Sequence, residues 1–218
     1  MKYIDVSFPY RKDMAIYPAN PEFIIERVQD IGKGDRANIS LISMGSHTGT
    51  HIDVPSHFVK GGKTIDQLTL DEMNGVAKLF DLRGYGEITK ELLEKHDINQ
   101  GDIIMLKTDN SKMFHCDTVL NDYVTLDYKA AEYLVKKNIK MVCIDYMTIE
   151  RPKQKRIQGI SIHNILLSQE ILIAETLKLD RVEEGEYQLF CFPLNVVGAD
   201  GVPVRIVLGK VENNGYIF

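Results

Sequence analysis

Several things are missing from this sequence, and each absence removes a class of function. No apolar run approaches the ~20 residues of a membrane span. The opening Met1-Lys-Tyr-Ile-Asp-Val6 lacks the apolar core of a secretory signal. There are only three cysteines, Cys116, Cys143 and Cys191, and they form no CxxC pair. Cys143 and Cys191 lie in apolar runs and read as core residues, which makes a reducing cytoplasm the natural compartment. Cys116 follows His115, but chain neighbours rarely point at each other, so a nucleophile and base are not indicated there. A net charge of −5 and a pI near 5.7 argue against nucleic-acid binding. The basic cluster Lys153 to Arg156 has no interleaved aromatic and reads as a solvated loop. No GxGxxG or Walker-type loop opens a helix after a strand, so no nucleotide cofactor is indicated. There is no low-complexity linker and no internal repeat. With 44% hydrophobic and 26% charged residues, the 218-residue chain reads as one globular domain spanning 1–218.

The apolar patterning predicts strands over Tyr3 to Phe8, Phe23 to Val28, Ala37 to Gly45, Val76 to Leu82, Ile103 to Lys107, Met141 to Asp145, Ile171 to Ala174, Gln188 to Phe192 and Val204 to Leu208. Helices are predicted around Thr89 to His96, over Tyr128 to Lys137 with Asp127 as its cap, and over Ile162 to Leu167. Pro9 to Pro21 reads as a loop and Gly61-Gly62 as a turn. Strands outnumber helices and most are not joined by helices. The expected fold is therefore α+β: a mixed, largely antiparallel, barrel-like sheet flanked by helices, rather than a doubly wound one.

What the chain does have is a concentration of imidazole. It has six histidines. Three of them lie in Ser46-His-Thr-Gly-Thr-His-Ile-Asp-Val-Pro-Ser-His-Phe58, where alternate positions read His47, Gly49, His51, Asp53, Pro55, His57. Imidazole and carboxylate ligate borderline and hard metal ions, and histidine is the usual proton shuttle near neutral pH. Gly49, Pro55 and the β-branched Thr48, Thr50, Ile52 and Val54 oppose a helix. On a strand, 47, 49, 51, 53 and 57 share one face. An extended path from 47 to 51 covers about 13 Å at roughly 3.3 Å per residue. Two imidazoles could barely converge on one ion over that span. A bend at Gly49 is therefore expected, with the missing side chain also leaving room for the ion.

A metal rarely draws all its ligands from one strand. His96 sits at a polar helix end and His115 in a loop-like stretch, whereas His163 is a polar residue inside the apolar run Gly159 to Leu167. It is either a ligand or a hydrogen-bonded core histidine. Glu175 ends the apolar run Ile171-Leu-Ile-Ala174. It is either a buried carboxylate in need of a cation or a simple strand-end charge.

The motif His47-x-Gly-Thr-His51-x-Asp53-x-Pro-x-His57-Phe58 resembles the signature of the cyclase family of metal-dependent hydrolases, which includes bacterial kynurenine formamidases and isatin hydrolases. So do His163 with Glu175, the stretch Pro193-Leu-x-x-x-Gly198-Ala-Asp200-Gly201-x-Pro203-Val-Arg205, Asp5, and the pair Tyr17-Pro18. The resemblance spans nearly the whole chain. It implies a swivelling β/β/α fold, commonly as a homodimer. It implies one or two ions, with His47, His51 and Asp53 as metal ligands, Asp53 able to bridge where two ions are bound, and His163 and Glu175 as ligands of the second ion in dinuclear members. His57 is implied as the catalytic acid/base, and zinc, or manganese as in isatin hydrolases, as the metal. The implied reaction is hydrolysis of an amide of a small-molecule substrate by a metal-activated water, in the manner of an arylformamidase acting on N-formylkynurenine. A hydrolase of a cyclic amide or lactone is the alternative. A non-catalytic metal-binding protein is disfavoured, because His57 has no use in a closed site. Two segments depart from the family. Tyr17-Pro-Ala-Asn-Pro21 stands where formamidases often read Trp-Pro-Gly-Asp-Pro, and Asp145-Tyr-Met-Thr-Ile-Glu-Arg-Pro152 departs from Asp-x-Pro-Ser. Both are expected to be pocket walls, with Tyr17 against the substrate ring.

Overall fold

The structure, a computed structural model, describes residues 3–115, 119, 122–151 and 159–210, with the backbone alone at 113–115. Cys116, the His115 side chain and the basic run Lys153 to Arg156 lie outside the described residues. In chain order the elements are β1 Tyr3–Asp5, β2 Ile24–Gln29, β3 Ile39–Ser43, β4 His51–Asp53, α1 Leu70–Met73, β5 Gly75–Asp81, α2 Lys90–Leu93, β6 Ile103–Lys107, α3 Tyr128–Lys137, β7 Met141–Ile144, α4 Ile162–Leu167, β8 Leu172–Glu175, β9 Gly185–Cys191, β10 Gly201–Pro203 and β11 Ile206–Lys210.

One nine-stranded sheet runs β1-β11-β9-β5-β6-β7-β8-β4-β10, and β2 pairs with β3 as a separate ribbon. Both flanks are antiparallel, as expected for most of the sheet. The centre, β5-β6-β7-β8, is parallel. Parallel neighbours need a long crossover, and here α2, α3 and α4 supply the three. The expected mixed, largely antiparallel sheet thus contains a helix-linked parallel block that apolar patterning does not distinguish from the flanks. Asp127 caps α3 as predicted, accepting from the Ala130 N–H at 2.5 Å.

The sheet is a curled half-barrel. Side-chain alternation sends Ile52, Leu79, Ile103, Met105, Ala174 and Leu189 into the cluster inside the curl. Phe80, Ile104, Leu106, Val142 and Ile173 go to the outer face, against Leu134 of α3 and Leu166 of α4. Strands buried on both faces explain why β6 and β7 read as continuous apolar runs. Cys143 and Cys191 are fully buried, as expected.

The strand predicted over Ala37 to Gly45 is found at Ile39–Ser43, but outside the main sheet. β3 belongs to the ribbon, and the chain turns through residues 44–50 before joining the main sheet at β4. The ribbon is exposed throughout its length.

Asp145 follows β7 and is fully buried. It accepts from Thr108 N at 2.8 Å, Thr108 Oγ1 at 2.7 Å and Ser111 Oγ at 2.5 Å. This ties the end of β7 to the turn after β6. Burial outweighs these three donors and pushes its pKa up to about 6. The fold thus keeps a proton that the unfolded chain releases at lower pH. Stability from this group is present at acid pH and is lost as pH rises from about 4 through about 6. The unfolding free energy of the native protein relative to Asp145→Asn, measured in urea, is expected to fall by up to roughly 3 kcal/mol over that window and to stay level above it.

Candidate metal centre and cleft

The site begins in the turn that feeds β4. Gly49 has φ +62°, the left-handed conformation that favours glycine, so the predicted bend is there. The room it was expected to leave for an ion is filled by Tyr10: a Cβ on Gly49 would lie 2.8 Å from Tyr10 Cε1. The Tyr10 hydroxyl is 3.1 Å from the carbonyls of both Thr48 and Thr50 and clasps the turn. The glycine that makes space beside the histidines is Gly201, where a Cβ would meet His47 Cε1 at 2.7 Å.

The placing of 57 on one strand face with 47, 49, 51 and 53 is corrected. Only His51–Asp53 is strand; Pro55–His57 forms a 3-10 turn. That turn brings His57 back over His47, with the rings stacked 3.8 Å apart. Within β4, His51 and Asp53 share one face while Ile52 enters the core. Register then places Glu175 of β8 opposite His51, and Gly201 of β10 opposite Asp53.

The result is a cluster around one buried carboxylate. Asp53 Oδ1 lies 2.7 Å from His47 Nδ1 and 3.3 Å from His51 Nε2. Asp53 Oδ2 lies 3.6 Å from His163 Nε2. Glu175 joins the two sides, with Oε2 3.5 Å from His51 Nε2 and Oε1 3.3 Å from His163 Nε2. The far nitrogen of each ring meets an acceptor: His47 Nε2 is 3.0 Å from Asp200 Oδ2, His51 Nδ1 is 2.8 Å from the Gly49 carbonyl, and His163 Nδ1 is 3.3 Å from Glu150 Oε1. The last is an ion-pair distance lying outside hydrogen-bond geometry. His57 Nδ1 is 3.4 Å from Asp200 Oδ2. Glu175 is fixed further by the Ile149 N–H, which donates to Oε1 at 2.7 Å. The next residue, Thr176, is β-branched yet has φ +59°. Two bonds hold that strained backbone: Thr176 N to the Tyr146 carbonyl at 2.6 Å, and Thr50 Oγ1 to the Thr176 carbonyl at 2.7 Å.

The electrostatics are those of a site that wants cations. Burial alone would depress the imidazoles of His51 and His163. Asp53 and Glu175 around His51, and Glu150 and Glu175 around His163, outweigh it and raise both pKa values to about 10. Burial would raise Asp53, but His47 and His51 hold it well below the usual carboxylate range. His57 differs: burial lowers its pKa, so it is neutral at pH 7. Despite these neighbours, Asp53 Oδ2 is buried without a hydrogen-bond partner. An orphaned carboxylate oxygen ringed by imidazole nitrogens and a second carboxylate is a donor set that fits a divalent ion. Within this set, donor atoms of His51, Asp53 and Glu175, and separately of His47, Asp53 and His57, lie within 4.8 Å of one another. The second group shows that the His57 nitrogen also comes within reach of an ion at His47.

The cluster forms the floor of a cleft of about 310 Å³, walled by Tyr17, Asn20, Phe58, Met147, Thr148 and Glu150. That size suits a small molecule. Tyr17 is at the wall, whereas Phe23 and Tyr146 pack away from it with Phe8, Met14 and Tyr123. His96 stacks on Phe80 far from the cluster. The Tyr17 turn closes with alanine at a left-handed position: Asn20 N donates to the Tyr17 carbonyl at 3.0 Å, and Ala19 takes φ +73°. Asn20 Nδ2 reaches the His47 carbonyl at 3.4 Å. Sequence reasoning gave Asp200 and Gly201 no role, although both stood in the quoted C-terminal motif. Glu150 carried no local signal at all, being an acid in a pocket-wall loop.

The family model described as putative cyclase matches residues 4–151. Kynurenine formamidase from Bacillus anthracis is 30% identical over 210 residues, covering 96% of this chain and 98% of that protein. A solved structure described as a potential metal-dependent hydrolase with cyclase activity is 36% identical, with a TM-score of 0.80 over 95% of this chain and 96% of the other. Isatin hydrolase A from Labrenzia aggregata shares the fold, with a TM-score of 0.81 at 20% identity over 95% and 93%.

Two substitutions test this geometry by urea denaturation. Gly201→Ala is expected to cost about 1–3 kcal/mol, because the new Cβ meets both His47 and the fixed Ile52 carbonyl. Ala19→Gly is expected to stabilise the protein by up to about 1 kcal/mol. Relief of the left-handed alanine exceeds the entropy that glycine adds to the unfolded chain.

Proposed function

This chain belongs to the putative cyclase family, and from that premise we propose that it is a metal-dependent hydrolase of an aryl amide. The substrate class is N-formylkynurenine or a related aryl formamide, as the name of the kynurenine formamidase relative denotes. The observation that carries the reading is Asp53: a buried carboxylate with an orphaned oxygen, facing His47 and His51 on one side and His163 with Glu175 on the other.

In this reading His47, His51 and Asp53 hold one ion, and Asp53, His163 and Glu175 hold a second. Nitrogen and oxygen donors without sulfur suit zinc first and manganese second. When bound, such an ion supplies Lewis acidity, which polarises a carbonyl and makes water acidic near neutral pH. His57 is neutral and stands at the cleft beside the cluster. It accepts a proton from water and returns it to the leaving nitrogen, which departs poorly as an anion. Tyr17 and Phe58 flank the aryl ring. Asn20 holds the His47 backbone while bordering the substrate.

The functional unit is a homodimer. The exposed ribbon supports this: Ile24, Val28, Ile39, Leu41 and Ile42 are left open to solvent, and a second copy would cover them. Free, buried Cys143 and Cys191 support a cytoplasmic setting. Among the described residues no helix is long and apolar enough to cross a membrane.

Elemental analysis of the purified protein, with hydrolysis followed on N-formylkynurenine and on isatin, tests the reading. Zinc or manganese and turnover of the formamide are expected. Turnover of isatin alone would move the substrate to the cyclic amides. Asp53→Ala is expected to abolish metal content and activity together, and a variant that retains metal would sink the ligand assignment. His57→Ala is expected to lose about 10²–10⁴-fold in kcat with its metal retained.

A further inference from the structure

Glu150 borders the cleft beside the cluster. Its Oε1 is 3.3 Å from His163 Nδ1, and its Oε2 accepts from the Ile162 N–H at 2.5 Å, at the first turn of α4. Its carboxylate is mostly buried. The residue before it, Ile149, donates its backbone N–H to Glu175. The dipeptide 149–150 therefore meets both groups on the His163 side of the cluster: the Ile149 N–H bonds Glu175, and the Glu150 carboxylate lies at ion-pair distance from His163, which faces Asp53 Oδ2. The groups facing Oδ1 are held elsewhere, His47 by Asp200 and His51 by the Gly49 carbonyl.

We propose that Glu150 is a positioning residue for the Oδ2 half of the cluster alone, presenting His163 Nε2 to the second metal ion. The inference rests on the metal reading above. A carboxylate on the far nitrogen of a ligating imidazole fixes the ring and raises its basicity, and losing such a partner typically costs about 10–100-fold in metal affinity. The dependence is local because Glu150 faces His163 itself, whereas His47 and His51 meet acceptors of their own in Asp200 and the Gly49 carbonyl, even though Glu175 as well as Asp53 links the two sides.

The bland reading is that Glu150 only braces the start of α4 through Ile162. Glu150→Gln separates the two: it keeps an acceptor oxygen for the Ile162 N–H and removes the charge facing His163. The measurement is a competitive Zn²⁺ titration of the full chain against a chelator, with Asp200→Ala as the comparator on the Oδ1 side. Native protein is expected to bind two equivalents. Glu150→Gln is expected to weaken one of them by about 10–100-fold and leave the other unchanged. Asp200→Ala is expected to weaken the other equivalent. Native-like binding of both equivalents by Glu150→Gln, or equal weakening of both, would overturn the inference while leaving the proposed function standing. A native protein that binds a single equivalent would overturn it and remove the second ion of the proposed function, leaving the hydrolase reading itself standing. A native protein that binds no zinc or manganese would instead remove the metal reading, and this inference with it. A thermal melt of metal-free Glu150→Gln matching the native protein shows that the change in affinity is not a loss of fold.

Discussion

A carboxylate buried in a sheet is expensive unless every lone pair meets a donor or a cation. Asp53 sits in that position, and much of the surrounding architecture reads as provision for it. β4 is only three residues long, yet it is paired on both sides, by β8 and by β10. That double pairing holds Asp53 and His51 rigidly on one face and brings Glu175 alongside. The clasp of Tyr10 on the turn at Gly49, the missing side chain at Gly201 and the strained backbone at Thr176 all serve the same end. They set imidazoles and a second carboxylate around a negative charge that water does not reach. The raised pKa values of His51 and His163 follow from the same constraint, since carboxylates face each ring: Asp53 and Glu175 at His51, Glu150 and Glu175 at His163.

The floor and the walls of the cleft are built differently. The floor is made of strand, a 3-10 turn and the first turn of α4, elements whose backbone is tied into the sheet or capped. The walls at Tyr17 to Asn20 and Met147 to Glu150 are loops. A rigid scaffold carrying variable loops lets one metal chemistry serve several amides. The chain's departures from its family fall in these walls. The Tyr17 turn shows how a departure is tolerated: Ala19 adopts the backbone that glycine would supply, at a modest energetic cost, and Asn20 reaches the His47 carbonyl.

Much of this was legible before folding was considered. Alternation and β-branching marked the strands, Asp127 marked the start of α3, and the density of imidazole from His47 to His57 marked the chemistry. These features are written in neighbouring residues and in side-chain type. Other features left no such trace. The parallel order of β5 to β8 depends on how helical crossovers pack back on the sheet. β10 is too short to show a period. The importance of Gly201 is visible only once His47 lies against it, and that of Glu150 only once α4 delivers His163.

The sequence by itself therefore determined which groups are available to hold an ion and move a proton, and which segments are strand, helix or turn. Those choices are local, governed by backbone preference and by the period of the apolar residues. Tertiary structure decided which groups meet. The pairing of His51 with Glu175, the return of His57 over His47 and the approach of His163 to Asp53 depend on strand register and on α4 packing against the outer face of the sheet. Register is set by burying both faces of the sheet at once, a condition on the whole chain that no window of neighbouring residues contains.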